Sequence, residues 1–277
     1  MAPTLPAAGF RAQPAGTPDW RGAGAPSVCC AAMTPSELVA TACPTINALG
    51  SAFYFTPATL ARGKELGLRG MQYYIVGRGG VLGDAEPSVI RSAFGYFKPS
   101  VIADAWTSGA AVMTPRAAGR AYFESCASHG RTTLAGVAGL DAFAAAAGAV
   151  NDAADDAGLA LYAGIKSEPL ADDVAARAFQ LITVLREFRG SAHLIALRSV
   201  GITDHVAHFI KRPDAVKTFG WSDDDVPEIT PELTDLMTAA EALTDRIVTP
   251  AYAVLDHAQQ TALVDGLAAI KVAHAPA

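Results

Sequence analysis

The segment LREFRGSAHLIAL, residues 185–197, sets two arginines, a glutamate and a histidine into a chain otherwise rich in alanine and leucine. On a helix Arg186, Arg189 and His193 fall at i, i+3 and i+7, so they share one side. Leu181, Leu185, Phe188 and Ala192 form an apolar stripe next to them. The small pair Gly190-Ser191 leaves room beside the polar stripe for a ligand or for a second helix. Arginine offers a planar fork to a carboxylate or phosphate; histidine can move a proton or ligate a metal. The competing reading is a solvated helix face with Glu187 pairing nearby, and helical phase alone does not choose between them.

Two further clusters carry polar and aromatic groups together. MQYYIVGRGGVLGD, residues 71–84, holds Tyr73, Tyr74 and Arg78. Its GRGG lacks the spacing of a phosphate loop or a dinucleotide fingerprint, so the glycines read as a sharp turn after a buried helix. FGYFKP, residues 94–99, holds Tyr96 and Lys98 ahead of a helix start, where a lysine can meet an anion or simply be solvated. His205 and His208 sit at i, i+3, but no third ligand joins them at a telling distance. HExxH, the ExxH repeats of a di-iron bundle and the GxSxG elbow are absent.

The elements that must position these residues read as helices. Thr34 with Glu37 makes a capping box for a helix to about Leu49, which Pro44 should kink or split. Thr56-Pro57, Pro87, Pro99 and Thr114-Pro115 open further helices, with proline at the first helical position. The apolar run 68–76 fits a strand or a buried helix, and its helical neighbours favour helix. An Ala-rich helix covers 138–157. Residues 172–188 and 191–200 flank Gly190 as one helix or two, Thr203, Ser222 and Thr230 can cap others, and a final stretch ends near Ala273. No alternating β-branched run or hairpin dipeptide is present. The expected fold class is all-α: a multi-helix bundle over 33–202 and a small, reduced helical portion over 203–277.

Composition narrows the function classes. Hydrophobic residues make up 51% of 277 residues, yet no apolar run is long enough to span a membrane without a charge or a breaker. The net charge of -6 argues against a general nucleic-acid binder. Cys29, Cys30, Cys43 and Cys126 form no CxxC pair and read as free thiols of a cytoplasmic protein. Residues 1–32, rich in Ala, Pro and Gly, read as a disordered extension or an over-long gene start, with folding expected from about Met33.

Taken together, FYFTP (53–57), LGLRG with YYIVGRGGVLGD (66–84), FGYFKP (94–99), LREFRGSAHLIAL (185–197), FGWSDDD (219–225) and AEALTDRIVTPAY (240–252) resemble the SalK-like helical proteins of actinobacteria, catalogued as a helix-turn-helix family. The resemblance covers roughly 33–256 and implies a helical bundle joined to a winged-helix-like segment. In that pattern GWSDDD starts a helix, followed by a reading helix, a wing and a long final helix. Here only VPEI, residues 226–229, separates GWSDDD from the last helix, and one helical turn already takes about 3.6 residues. The reading helix is missing, and Asp223, Asp224, Asp225 and Glu228 would repel phosphates.

The expected function is binding of an anionic organic ligand inside the bundle, as a binder or as an enzyme of secondary metabolism. Tyr73, Tyr74, Arg78, Tyr96, Lys98, Arg186, Arg189 and His193 form the candidate site, with His193 the candidate catalytic group. The sequence names no cofactor; haem is one candidate, with His193 axial and arginines on its propionates. The alternatives are a transcriptional regulator with a degenerate helix-turn-helix, and a structural or dimerising helical protein without a ligand, for which a homodimer is the expected assembly.

Overall fold

A computed structural model describes residues 32–275, which contain twelve α-helices, three short 3-10 turns and no strand. The helices are α1 (Pro35–Leu49), α2 (Pro57–Glu65), α3 (Gly70–Gly79), α4 (Pro87–Phe94), α5 (Pro99–Ala110) and α6 (Pro115–Thr133). They continue with α7 (Leu140–Ala153), α8 (Ala160–Lys166), α9 (Val174–Val200), α10 (Asp204–Lys211), α11 (Pro231–Tyr252) and α12 (His257–Ala273). The all-α expectation holds. The proposed extension over 1–32, with Cys29 and Cys30, lies almost wholly outside the described residues.

Local signals set most boundaries. Thr34 accepts from the Glu37 amide while the Glu37 carboxylate accepts from the Thr34 amide, closing the capping box. The Thr56, Thr203 and Thr230 hydroxyls cap α2, α10 and α11 by accepting from the amides of Thr59, Val206 and Leu233, and proline occupies the first turn of α1, α2, α4, α5, α6 and α11. Pro44 does not split α1: its ring and the neighbouring Ala40 are exposed, so water can reach the carbonyl that lost its amide partner. Residues 174–200 form one helix through Gly190, with Asp173 as its cap. The short α8 was not foreseen.

The GRGG reading is corrected. Gly77, Arg78 and Gly79 continue α3, and Gly80 follows in a right-handed conformation, so no sharp turn occurs there. The glycines instead allow close packing. A Cβ at Gly77 would sit 2.6 Å from Tyr122 of α6, and one at Gly80 would collide with the backbone of Pro115 and Gly119. This close approach lets α3 lie against α6 and keeps Arg78 on the final turn.

Helix α9 is the axis of the fold. Leu181, Ile182, Val184, Leu185, Phe188, Ala192, Ala196 and Leu197 are all buried, as expected of a helix covered on most sides. It is flanked by α1, α6, α7, α8 and α11. Val248, Ala251 and Tyr252 of α11 and Leu263, Leu267 and Ile270 of α12 join the same core as α1 and α7. Cys43 and Cys126 are free and buried. No helix among the described residues is long and apolar enough to cross a membrane.

Burial pushes the imidazoles of His129, His193 and His208 down, with His129 at about 4 and His274 adding to its shift. A folded-state pKa below the unfolded value, about 6.5 for histidine, means the unfolded chain takes up protons first as pH falls. The stability these groups lend is complete above pH 6.5 and is lost progressively below it, for His129 down to about 4. The urea midpoint should therefore drop between pH 7 and pH 5; an unchanged midpoint over that interval would refute this assignment.

Candidate functional site

Several parts of the fold converge beside the middle of α9. Arg186, Arg189, Gly190 and His193 project from it; Tyr74 and Arg78 come from α3, and Phe94, Tyr96 and Phe97 from the end of α4 and the turn after it. His208 and Lys211 of α10, Phe219, and Glu241 of α11 complete the wall. They enclose a cavity of about 280 Å³.

Glu187 organises one side of it. The carboxylate is 1% exposed and accepts a two-pronged pair from Arg78, Nε to Oε1 at 2.8 Å and Nη2 to Oε2 at 2.7 Å. Oε1 also accepts from Arg186 Nη1 at 2.7 Å and from the Tyr54 hydroxyl at 2.8 Å, while Tyr54 accepts from Arg186 Nη1 at 2.9 Å. Burial alone would raise this carboxyl, but Arg78 and Arg186 outweigh it and hold Glu187 at about 2. Tyr74 accepts from Arg78 Nη1 at 3.2 Å, and the Arg78 guanidinium lies 4.3 Å from the Phe94 ring centre.

The other side is built on α11. Arg189 Nη2 donates to Glu241 Oε2 at 2.8 Å and Asp245 Oδ1 at 3.0 Å, and Lys211 reaches Glu241 Oε1 at 2.6 Å. Burial would raise Glu241, but hydrogen bonds from Lys211 and Arg189 hold it at about 2. His193 Nδ1 lies 2.8 Å from Thr244 Oγ1, whose own proton goes to the Ala240 carbonyl at 2.7 Å. The hydroxyl must then accept from Nδ1–H, which leaves the lone pair of the neutral ring on Nε2. Nε2 makes no hydrogen bond among the described residues and stands 4.0 Å from Glu241 Oε1.

Tyr96 is the only non-glycine residue with positive φ among those described, at 57°. Its amide donates to Asp204 Oδ2 at 3.2 Å and its carbonyl accepts from Trp221 Nε1 at 2.7 Å. Such a conformation is costly for a bulky side chain and persists only where its surroundings fix it.

The α9 stripe is therefore not a solvated face: its three side chains are 20%, 18% and 10% exposed in chain order. Of the residues singled out from sequence, Tyr74, Arg78, Tyr96, Arg186, Arg189 and His193 meet in one cavity. Tyr73 does not, because it faces α6 and shares a 2.9 Å hydrogen bond with Ser125. Lys98 does not either: the acidic 223–225 turn captures it through Asp225 at 2.9 Å, beside the Trp221 ring. Sequence reasoning missed Tyr54, Glu241, Thr244 and Lys211 as parts of the site. The spacing of Glu241, Thr244 and Asp245, one turn apart on one helix face, was the available signal. The cavity lies just below the ~300–1,000 Å³ usual for ligand pockets. No group of three metal-ligating side chains occurs among the described residues.

Residues 39–277 match the profile of a helix-turn-helix family. The chain belongs to that family. No curated protein matches it, and no solved structure does. Helices α9 and α10 are joined by the three residues 201–203, with Gly201 left-handed, a connection of the length found in helix-turn-helix motifs. Yet α10 has only eight residues, and Ala207, His208 and Phe209 at its centre are buried. Only residues 226–230 separate the acidic 3-10 turn from α11, and no strand is available for a wing among the described residues.

Proposed function

We propose that this protein binds a small anionic organic molecule in the cavity beside α9, with His193 as the proton carrier of the site. The observation that carries this reading is a set of unmet polar groups on one wall. Arg186 Nε, Arg189 Nε, Ser191 Oγ and His208 Nε2 are buried without a partner among the described residues, and all four residues line the cavity. Each such group costs about 1–3 kcal/mol when left unsatisfied, which a ligand bearing acceptors would recover. The forced backbone at Tyr96 supports the same reading, since strain of this kind concentrates at functional sites. His193 Nε2 is free to exchange a proton, and the arginines would hold or polarise the anion. The narrower kinship to SalK-like actinobacterial proteins, and a cytoplasmic setting in keeping with the free thiols, belong to this proposal.

The test is to purify the protein natively, release small molecules by denaturation and identify them by mass spectrometry. A parallel thermal-shift panel of organic anions covers a ligand lost in purification. An organic acid should leave with wild type and be missing from Arg186→Ala, which keeps the Arg78–Glu187 pair. No co-purifying anion and no shift from any panel member would overturn the proposal. Family membership favours a second reading as a regulator, and retention of duplex DNA at low salt with steep loss as salt rises would support that instead. The buried centre of α10 and the acidic 223–228 stretch weigh against it.

A further inference from the structure

Two observations inside this cavity go further than an unspecified anion. The first is where charge and hydrogen-bonding capacity remain unspent. Arg189 and Lys211 are matched by Glu241 and Asp245. Arg78 is fully engaged, with Nε and Nη2 on Glu187 and Nη1 on Tyr74. Arg186 must share the single Glu187 with Arg78, so one positive charge is left over. Its contacts all run through Nη1. Nε is buried without a partner, and Nη2 donates no hydrogen bond among the described residues. Nε and Nη2 form one edge of the guanidinium plane, with two parallel donors spaced for the two oxygens of a carboxylate.

The second observation is Gly190. A glycine inside a helix weakens it relative to alanine, so it calls for a cause. Most glycines inside the other helices have one: a Cβ at Gly77, Gly130 or Gly266 would fall within 2.7 Å of a neighbouring atom, while Gly148 of α7 shares the open space of Gly190 but does not line this cavity. Gly190 lies in the αR helix and lines the cavity, and a Cβ there would meet nothing within 4 Å. It is one turn beyond Arg186 and adjacent to Arg189. Packing does not require this glycine. The aromatic walls opposite, Tyr74, Phe94, Phe97 and Phe219, suit a flat apolar body.

We infer that the ligand is a small carboxylic acid with a flat apolar body, its carboxylate seated on the Nε–Nη2 edge of Arg186, and that Gly190 is a specificity-determining residue keeping its approach open. This inference rests on the cavity being a ligand site.

The experiment compares benzoate, benzamide and phenyl phosphate as calorimetric probes on wild type, Gly190→Ala and Arg186→Lys, with melting temperatures read in parallel. Wild type should prefer benzoate at least tenfold over benzamide. Gly190→Ala should melt about 2–4 °C higher, since alanine favours the helix, yet bind benzoate at least tenfold more weakly. Arg186→Lys, which keeps the charge and loses the fork, should also weaken benzoate tenfold or more. Undiminished benzoate binding by Gly190→Ala overturns the role of Gly190 and leaves the anion site standing. Equal binding of benzamide, or tighter binding of phenyl phosphate, overturns the carboxylate. Wild type binding none of the acids overturns both this inference and the reading on which it rests.

Discussion

Glu187→Gln should cost about 3–5 kcal/mol of folding stability, the usual penalty for removing one partner of a buried ion pair. The reason is arithmetic of charge. Glu187 is the single carboxylate between Arg78 and Arg186, and glutamine there leaves the two guanidiniums facing each other with no negative charge between them, only the neutral amide oxygen and the Tyr54 and Tyr74 hydroxyls. A domain of this kind has about 5–15 kcal/mol in total, so the variant should be marginal or unfolded at 37 °C. Chemical denaturation followed by circular dichroism measures the loss. Adding Arg78→Met to Glu187→Gln should recover part of it, because the repelling charge is gone and Met fills much of the space beside Phe94. A single variant as stable as wild type would show that the pair is not held as described.

Gly80→Ala should destabilise by about 1–3 kcal/mol or more, against a helix-propensity gain of only about 0.5–1 kcal/mol. Gly80 has right-handed backbone angles, so its conformation alone would welcome alanine. Sterics decides the sign: the new Cβ would lie 2.8 Å from the Pro115 carbonyl carbon and 2.9 Å from the Gly119 amide nitrogen. Both are backbone atoms, and no flexible side chain can swing aside. Relief requires moving α6 away from α3, loosening the ring contacts of Tyr122 with Tyr73 and Phe53 at 5.0 Å. A fall in melting temperature checks this, and a rise would restore the turn reading of GRGG. The same exchange at Gly190 is expected to act in the opposite direction, since nothing stands in its way there.

These glycines also mark the limit of what sequence can reveal. Helix starts were legible because the caps Thr34, Thr56, Thr203 and Thr230, and the first-turn prolines Pro35, Pro57, Pro115 and Pro231, act locally, through atoms a few bonds apart. The seven-residue α8 begins at Ala160 after Leu159, which has no capping side chain, and was invisible to that reasoning. GRGG was misread because its glycines answer to α6, and no pattern within the segment records how closely another helix approaches. The candidate site divides along the same line. Helical phase placed Arg186, Arg189 and His193 on one side, and that grouping survives. Their partners Tyr54, Glu241 and Thr244 lie 51 to 132 residues away in sequence, so pairing had to wait for the fold. Tyr73 and Tyr74 differ by one position, which on a helix is about 100° of rotation, enough to send one to Ser125 and the other into the cavity.

Helix α9 runs unbroken for 27 residues, about 40 Å, and the residues that line the cavity alternate along it with the most buried side chains of the core. The polar wall is thus part of the structure that must come apart for the whole protein to unfold. Backbone amides from 184 to 193 should exchange with deuterium as slowly as any in the molecule, through global opening rather than local fluctuation. On the proposed reading, a ligand arriving there would meet arginines already in position and spend little of its binding energy on ordering them. Its entry would then fall to the shorter elements at the rim, α10 and the segment around Tyr96 and Phe219, whose release need not disturb the long helix on which the arginines are mounted.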